Sequence, residues 1–227
     1  MGLHQEYEIR EIDKRTAQTM VKQWHYLHRQ APCSYAFGMF DQMTGELVGV
    51  VLYGKPASHW LCIGIAGKEE AENVIELTRL WIKDDTPKNS ESWFVGNTLK
   101  QVKHEIVVSF ADISANHVGT IYQATNFLYT GLSDRHVEWT IEGEDSRHCR
   151  HLFDKYGGVK KAKEILGDRM IGGERPRKHR YIFLNCKKRR KKEILSKMKY
   201  PIQEYPKLQG ERQYYIPELV EEQVTLF

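Results

Sequence analysis

Apolar and polar positions change period several times along the chain. Residues 7–12, "YEIREI", alternate and predict a strand. Residues 13–27 follow with Asp13 as a helix cap and with Met20, Trp24 and Leu27 at helical spacing. Residues 34–56 predict a hairpin, two apolar strands around a polar turn at 41–45 with Thr44-Gly45 at its tip. Residues 73–85, "NVIELTRLWIKDD", predict a strand with Leu77, Arg79 and Trp81 on one face and Glu76, Thr78, Leu80 and Ile82 on the other. Residues 86–105 open with cap-forming side chains and predict a helix. Residues 106–113, "IVVSFADI", are a nearly unbroken apolar run, as in a strand covered on both faces.

Downstream, residues 117–131 predict a helix closed by Gly131, and strands are expected over 135–143 and 179–186 with helices over 146–157 and 159–166 between them. After Ile194 the chain turns Pro- and Tyr-rich and predicts an extended arm. The order is strand, helix, hairpin, strand, helix, strand, helix, strand, strand. It predicts an α/β fold with a mixed central sheet flanked by helices and a basic, extended C-terminal arm.

The chain has 227 residues, 41% of them apolar, which suits one sizeable domain with a tail. No apolar run reaches the roughly 18 residues that span a membrane, and the N-terminus lacks the apolar core of a secretory signal. Cys33, Cys62, Cys149 and Cys186 are far apart, which favours reduced thiols over a disulfide framework. His148, Cys149 and His151 lie close together in "RHCRH", but no second ligand cluster accompanies them, so no metal is expected.

Charge changes the picture more than composition does. Between Arg175 and Lys199 stand twelve basic residues and a single acid, Glu193, whereas in the rest of the chain 29 acids outnumber 22 bases. So dense a block repels itself unless a polyanion neutralises it. Arg175, Arg177, Lys178, Lys187, Lys188, Arg189, Arg190, Lys191 and Lys192 are therefore candidate nucleic-acid contacts, with a solvated helix face as the alternative.

Two strand-to-helix junctions could carry chemistry, because ligands of α/β sheets gather at strand C-termini beside helix N-termini. At the first, Asn89, Ser90 and Ser92, with Gly96 a turn further on, could hold an anionic donor or simply cap a helix. At the second, Asp112 closes an apolar strand and Tyr122 begins the next helix. A carboxylate there could act as base and a phenol as proton donor, or both could be packing residues. Arg79 sits mid-strand, where an unpaired charge is expensive, and needs a carboxylate or an anionic ligand. His25 and Tyr26 end the first helix, where such a pair could equally be packing.

Taken jointly, "WHYLH" (24–28), "GVVLYGKPAS" (49–58), "ELTRLWIKDDTPKNSES" (76–92) and "FADISANHVGTIYQATNFLYTG" (110–131) resemble the Mom family of bacteriophage DNA-modification proteins. That family is similar in fold to GCN5-related acyltransferases, and the resemblance covers about residues 5–185. It implies transfer of an acyl-derived group to adenine N6 in double-stranded DNA, in the cytoplasm of a bacterial host cell, to protect phage DNA from restriction. The alternative is an N-acetyltransferase acting on a protein or small amine. The family's important positions fall on His25, Tyr26, Arg79, Ser92, Asp112 and Tyr122, in a catalytic domain of residues 1–186 followed by an arm and tail, 187–227. A target adenine would have to leave the duplex, and Trp24, Trp81 and Trp93 are possible stacking partners. Acetyl-CoA is the donor expected of the fold, yet residues 86–100 lack its glycine-rich signature, and another activated donor such as an aminoacyl-tRNA fits the basic block as well. Finally, "QVTLF" at the C-terminus resembles the peptide that docks in bacterial sliding clamps, with Gln223, Leu226 and Phe227 as its anchors.

Overall fold

The computed structural model describes residues 2–143 and 155–207. Its strands are β1 (Tyr7–Glu11), β2 (Tyr35–Asp41), β3 (Leu47–Gly54), β4 (Val74–Ile82), β5 (Ile106–Asp112), β6 (Leu128–Leu132), β7 (Val137–Ile141), β8 (Met170–Glu174) and β9 (Lys178–Leu184). The helices are α1 (Leu3–Glu6), α2 (Lys14–Trp24), α3 (His59–Ala66), α4 (Ser90–Leu99), α5 (Thr120–Ala124), α6 (Val159–Leu166) and α7 (Lys188–Lys197). Seven strands make one sheet in the order β1-β2-β3-β4-β5-β9-β6, antiparallel throughout except between β4 and β5. One face packs on α4 and α5 around Phe94, Val95, Leu99 and Phe127. The other is covered by α2 around Ala17 and Val21, and by α3 and α7 around Ile65 and Ile194. The mixed sheet flanked by helices is the fold class that the residue pattern predicts. Among the described residues no helix is long and apolar enough to cross a membrane.

Two irregularities in β4 shape the candidate site. First, β4 pairs with β5 only through Val74–Ile106, Ile75–Val107 and Glu76–Val108. Beyond these the parallel strands part, tied by a hydrogen bond from Ser109 Oγ to the Leu77 carbonyl at 3.1 Å. Second, β3 pairs Leu52 with Arg79 and Tyr53 with Leu77, so Thr78 bulges out and donates its hydroxyl to Leu52 O at 3.2 Å. A bulge shifts the alternation of side chains by one. Ile75, Leu77, Leu80 and Ile82 therefore share one core face, while Trp81 packs on the other. The expected grouping of Leu77 with Arg79 and Trp81 is thus corrected: Arg79 keeps Trp81 as face-mate but loses Leu77 and gains Glu76.

The helix expected over 117–131 is also corrected. It lasts one turn, α5, and ends where Asn126 adopts φ +61°. The chain then buries Phe127, Tyr129 and Thr130 and pairs with β9 as β6. Gly131, at φ +84°, caps no helix; it lies inside β6, against the Gln203 side chain. Two elements had no periodic signal. Helix α3, "HWLCIGIA", is apolar all round and starts at the Ser58 cap. Strand β8, with Gly172 and Gly173, pairs with β7 as a two-stranded sheet closed by α6 through Ile141, Ala162 and Met170. Most of the helix expected over 146–157, the His148/Cys149/His151 cluster and the 223–227 peptide lie outside the described residues.

The basic segment is helical before it is extended. In α7, Ile194 is fully buried and Arg190 bridges Glu70 at 2.5 Å and Glu105 at 2.8 Å, with Lys197 on Glu70 at 3.1 Å. Residues 198–207 then run irregularly back across the open edge of the sheet. Gln203 N donates to Tyr129 O at 2.9 Å, and the Tyr205 hydroxyl to Phe127 O at 2.7 Å. Covering an edge strand in this way hides its unpaired backbone groups.

Candidate active site

The parting of β4 and β5 opens a cleft between the C-terminal halves of two central strands. From β4 come Glu76 and Arg79; from β5, Ser109 and Asp112; from α5, Tyr122; and from the end of α2, His25 and Tyr26. Tyr26 stacks on His25 (4.4 Å between centroids, 27° between planes) and meets the edge of His117 at 5.9 Å, so the two lips of the cleft touch. The structure thus brings together five of the six positions singled out from the sequence: His25, Tyr26, Arg79, Asp112 and Tyr122. It also brings in Glu76, Ser109 and His117, which the sequence reading did not single out. Glu76 could have been suspected, since an acid within so apolar a strand is as expensive as Arg79.

Burial alone would raise the Asp112 carboxyl, but hydrogen bonds from Ser114 and the Lys178 ammonium outweigh it and hold it below the usual carboxylate range. The Lys178 pair is 2.9 Å, and the Ser114 hydroxyl donates at 2.6 Å. Glu76 behaves oppositely. Burial pushes its carboxyl up to about 7, against the pull of Arg79 and Lys178. Arg79 donates Nη1–H to Thr78 O at 2.6 Å, while its Nε is buried with no protein partner among the described residues. An orphaned buried donor calls for an acceptor, which a ligand oxygen or a water can supply. Burial pushes the Tyr122 phenol up to about 12 even though Ser109 is within hydrogen-bonding reach, so it stays protonated. Burial, with Arg79 adding to it, drives His25 down to about 3, so its imidazole is neutral and its Nδ1 accepts from Leu27 N at 3.1 Å.

At the start of α4 the candidate donor site divides. Ser90 is fully buried and spends its hydroxyl on Pro87 O at 2.7 Å, so that side chain is a structural cap. Asn89 is exposed at φ +72°, Ser92 donates its hydroxyl to Asn89 O at 3.1 Å, and Gly96 faces open space. The first-turn amides of Glu91 and Ser92 could meet an anionic donor. Around them, however, Lys83 is already paired with Glu46 and Asp85, and Asp84, Asp85 and Glu91 are exposed. This is a thin cradle for a pyrophosphate. Among the described residues no cluster of His, Cys, Asp and Glu could hold a metal ion.

The basic candidates fall into two groups. Because β9 runs antiparallel to β5, Lys178 pairs with Asp112 at the cleft end and Leu184 with Ile106 at the other. Arg175, Arg177 and Lys178 therefore lie beside the cleft, where Arg177 Nε donates to Ser133 O at 2.6 Å. Lys187, Lys188, Arg189, Arg190, Lys191 and Lys192 lie at the far end, a strand length or about 20 Å away. Arg190 is consumed by its carboxylates, and Arg180 is buried against Thr130 and the Tyr200 ring. Lys187, Lys188, Arg189 and Lys192 are exposed.

Among solved structures, the chain is similar to spermidine/spermine N-acetyltransferase from Vibrio cholerae at TM-score 0.45 and 9% identity, over 81% of this chain and 95% of that one. It is also similar to an acetyltransferase from Bacillus subtilis solved with CoA, at TM-score 0.39 and 13% identity, over 79% and 97%. Sequence similarity is stronger. The protein named methylcarbamoylase mom of Escherichia phage Mu is 30% identical over 209 residues, which is 89% of this chain and 84% of that protein. Residues 6–207 match the model of the Mom protein family, and the chain belongs to that family.

Proposed function

We propose that the chain transfers a methylcarbamoyl group, the group in its phage Mu relative's name, from an activated acyl donor to the exocyclic N6 of adenine in double-stranded DNA. The observation that carries this reading is the composition of the β4–β5 cleft: two carboxylates of opposite character, a protonated phenol and an arginine with a buried unpartnered donor. An adenine amine is a weak nucleophile, so a proton must leave N6 as it attacks the donor's carbonyl carbon. The N6–C bond forms, the bond from that carbon to the leaving group breaks, and the leaving group takes a proton.

Asp112, ionised and fixed by Lys178 and Ser114, accepts from the amine and aims it. Glu76, whose carboxyl titrates near neutrality, is matched to remove the proton. Arg79 Nε supplies a donor for the carbonyl oxygen as negative charge develops there. The Tyr122 phenol can give its proton to the departing group. The donor must therefore carry the methylcarbamoyl carbonyl on a leaving group, as a thioester or ester, since acetyl-CoA or an aminoacyl-tRNA attacked in the same way would leave an acetyl or aminoacyl group on N6; the modification would protect phage DNA from restriction inside the host cell.

Mass spectrometry of nucleosides from DNA of cells expressing the protein tests this. Deoxyadenosine heavier by one methylcarbamoyl group is expected with wild type, and at least a hundredfold less with D112N or Y122F, on the order of a lost acid or base. Unmodified deoxyadenosine with the wild type sinks the reading. Unmodified DNA accompanied by acylation of a protein or small amine would point to ordinary N-acetyltransfer instead. Full modification by D112N and Y122F would leave the reaction standing and remove these roles.

A further inference from the structure

Two large aromatic side chains at the cleft mouth are left half in water. Trp24 is 52% exposed and Tyr26 45% exposed, although both flank His25, which is buried. They sit where α2 ends, because His25 adopts extended backbone as its C-cap. Trp24 lies against Trp81 with centroids 6.1 Å apart and planes 20° apart, so one side of the indole is backed and the rest faces solvent. Trp81 follows Arg79 by two residues beyond the Thr78 bulge, and both belong to the same side of β4. Trp81, the ring that backs Trp24, therefore leaves the strand about 7 Å from the arginine with the unpartnered Nε. Trp93, by contrast, lies partly buried against the core on the α4 face.

A flat, rigid apolar surface supported from behind, beside a polar cleft, suits the π-face of a nucleobase. Trp24 and Tyr26, half exposed at neighbouring positions beside the site, together offer an apolar surface that a planar ligand can cover. The sugar–phosphate that follows an extruded base would pass the exposed Arg29, a neighbour of Arg79 and Tyr26 in electrostatic reach. We propose that Trp24, backed by Trp81, is the stacking platform that receives the extruded adenine and holds it for Asp112 and Arg79. This makes it a positioning residue. The inference rests on the adenine-modification reading above.

The test uses the full-length protein on duplex plasmid DNA, with nucleoside mass spectrometry for turnover and tryptophan emission for stacking. W24A should lower kcat about ten- to a hundredfold, the cost of one lost stacked base, while the Kd for duplex stays within about twofold because phosphate contacts dominate it. W24F should recover most of the turnover. Saturating duplex should quench tryptophan emission in wild type, and W24F should lose that quench. Unaltered turnover in W24A, or a quench that persists in W24F, overturns the platform. Loss of duplex binding together with a lowered melting temperature in W24A, not rescued in W24F, would make Trp24 a purely structural residue and also overturn it. If the wild type modifies no adenine, the underlying reading fails first, and this role falls with it.

Discussion

Replacing Glu76 with Gln should stabilise the protein in alkaline buffer and leave it unchanged in acid. The carboxyl has moved from an ordinary 4.5 to about 7, first because it is buried, with Arg79 and Lys178 opposing but not cancelling the effect. A raised carboxyl means that the folded state holds its proton after the unfolded chain has lost it. Stability therefore falls as pH rises from about 4.5 to about 7, and the penalty is complete above that. Carried across that interval at about 1.4 kcal/mol per pH unit, the penalty reaches at most roughly 3.5 kcal/mol. For a chain of this length each kcal/mol shifts Tm by about 2–4 °C, so E76Q should melt up to about 7–14 °C above wild type at pH 8. At pH 4, where both side chains are neutral, the two should melt together. Calorimetry across this pH series is the assay. Equal melting at pH 8, or a gap that does not close in acid, would refute the buried, unpaired state of Glu76. Its use as a proton acceptor would then lose its basis. If that state is real, turnover should rise with pH through an inflection near 7 in wild type and lose that inflection in E76Q.

Other consequences follow from single contacts. R190A would leave Glu70, held down to about 2 chiefly by the Arg190 side chain, with Lys197 and Asn73 as its remaining partners, and should cost about 1–3 kcal/mol, seen as a lower Tm and faster proteolysis within 188–197. Gly119→Ala places a Cβ against the Tyr181 ring at a backbone φ of +74°, so it should destabilise by more than about 1 kcal/mol, measured by urea melting. If the exposed face of α7 meets DNA, K188A/R189A/K192A should flatten the dependence of log K on log salt by about 0.9 for each lost phosphate contact; an unaltered slope would assign that face elsewhere. Deleting residues 223–227 should abolish capture by a bacterial sliding clamp in a pulldown, and undiminished capture would end that idea.

The hairpin and the body of most central strands were legible because their signals are local. Asp41 accepts from Met43 N at 2.9 Å and Thr44 N at 2.8 Å, which fixes the turn, and alternation does the rest. Helix α3 and strand β6 were not legible, since α3 has no polar face to give it a period and β6 is decided by pairing with β9 rather than by propensity. The basic block was legible as charge but not as place: a seven-residue strand inside it carries half to the cleft and half to the opposite end.

The site itself shows the limit most clearly. Asp112 and Tyr122 stand out in sequence as a strand end facing a helix start, and Arg79 as a charge in an apolar strand. Glu76 did not stand out, because perfect alternation puts it on a different face from Leu77 and says nothing further. Its chemistry depends on two events that no residue pattern encodes. A bulge at Thr78 turns it to the side of Arg79, and β5 leaves β4 one residue after Val108. Without the parting, a carboxylate at that depth would be a folding error. With it, the same carboxylate looks into a cleft from a rigid strand, kept from ionising early by the burial that makes it costly. The strain of the site and its reactivity thus share one cause, and the E76Q melting series measures the first where turnover measures the second.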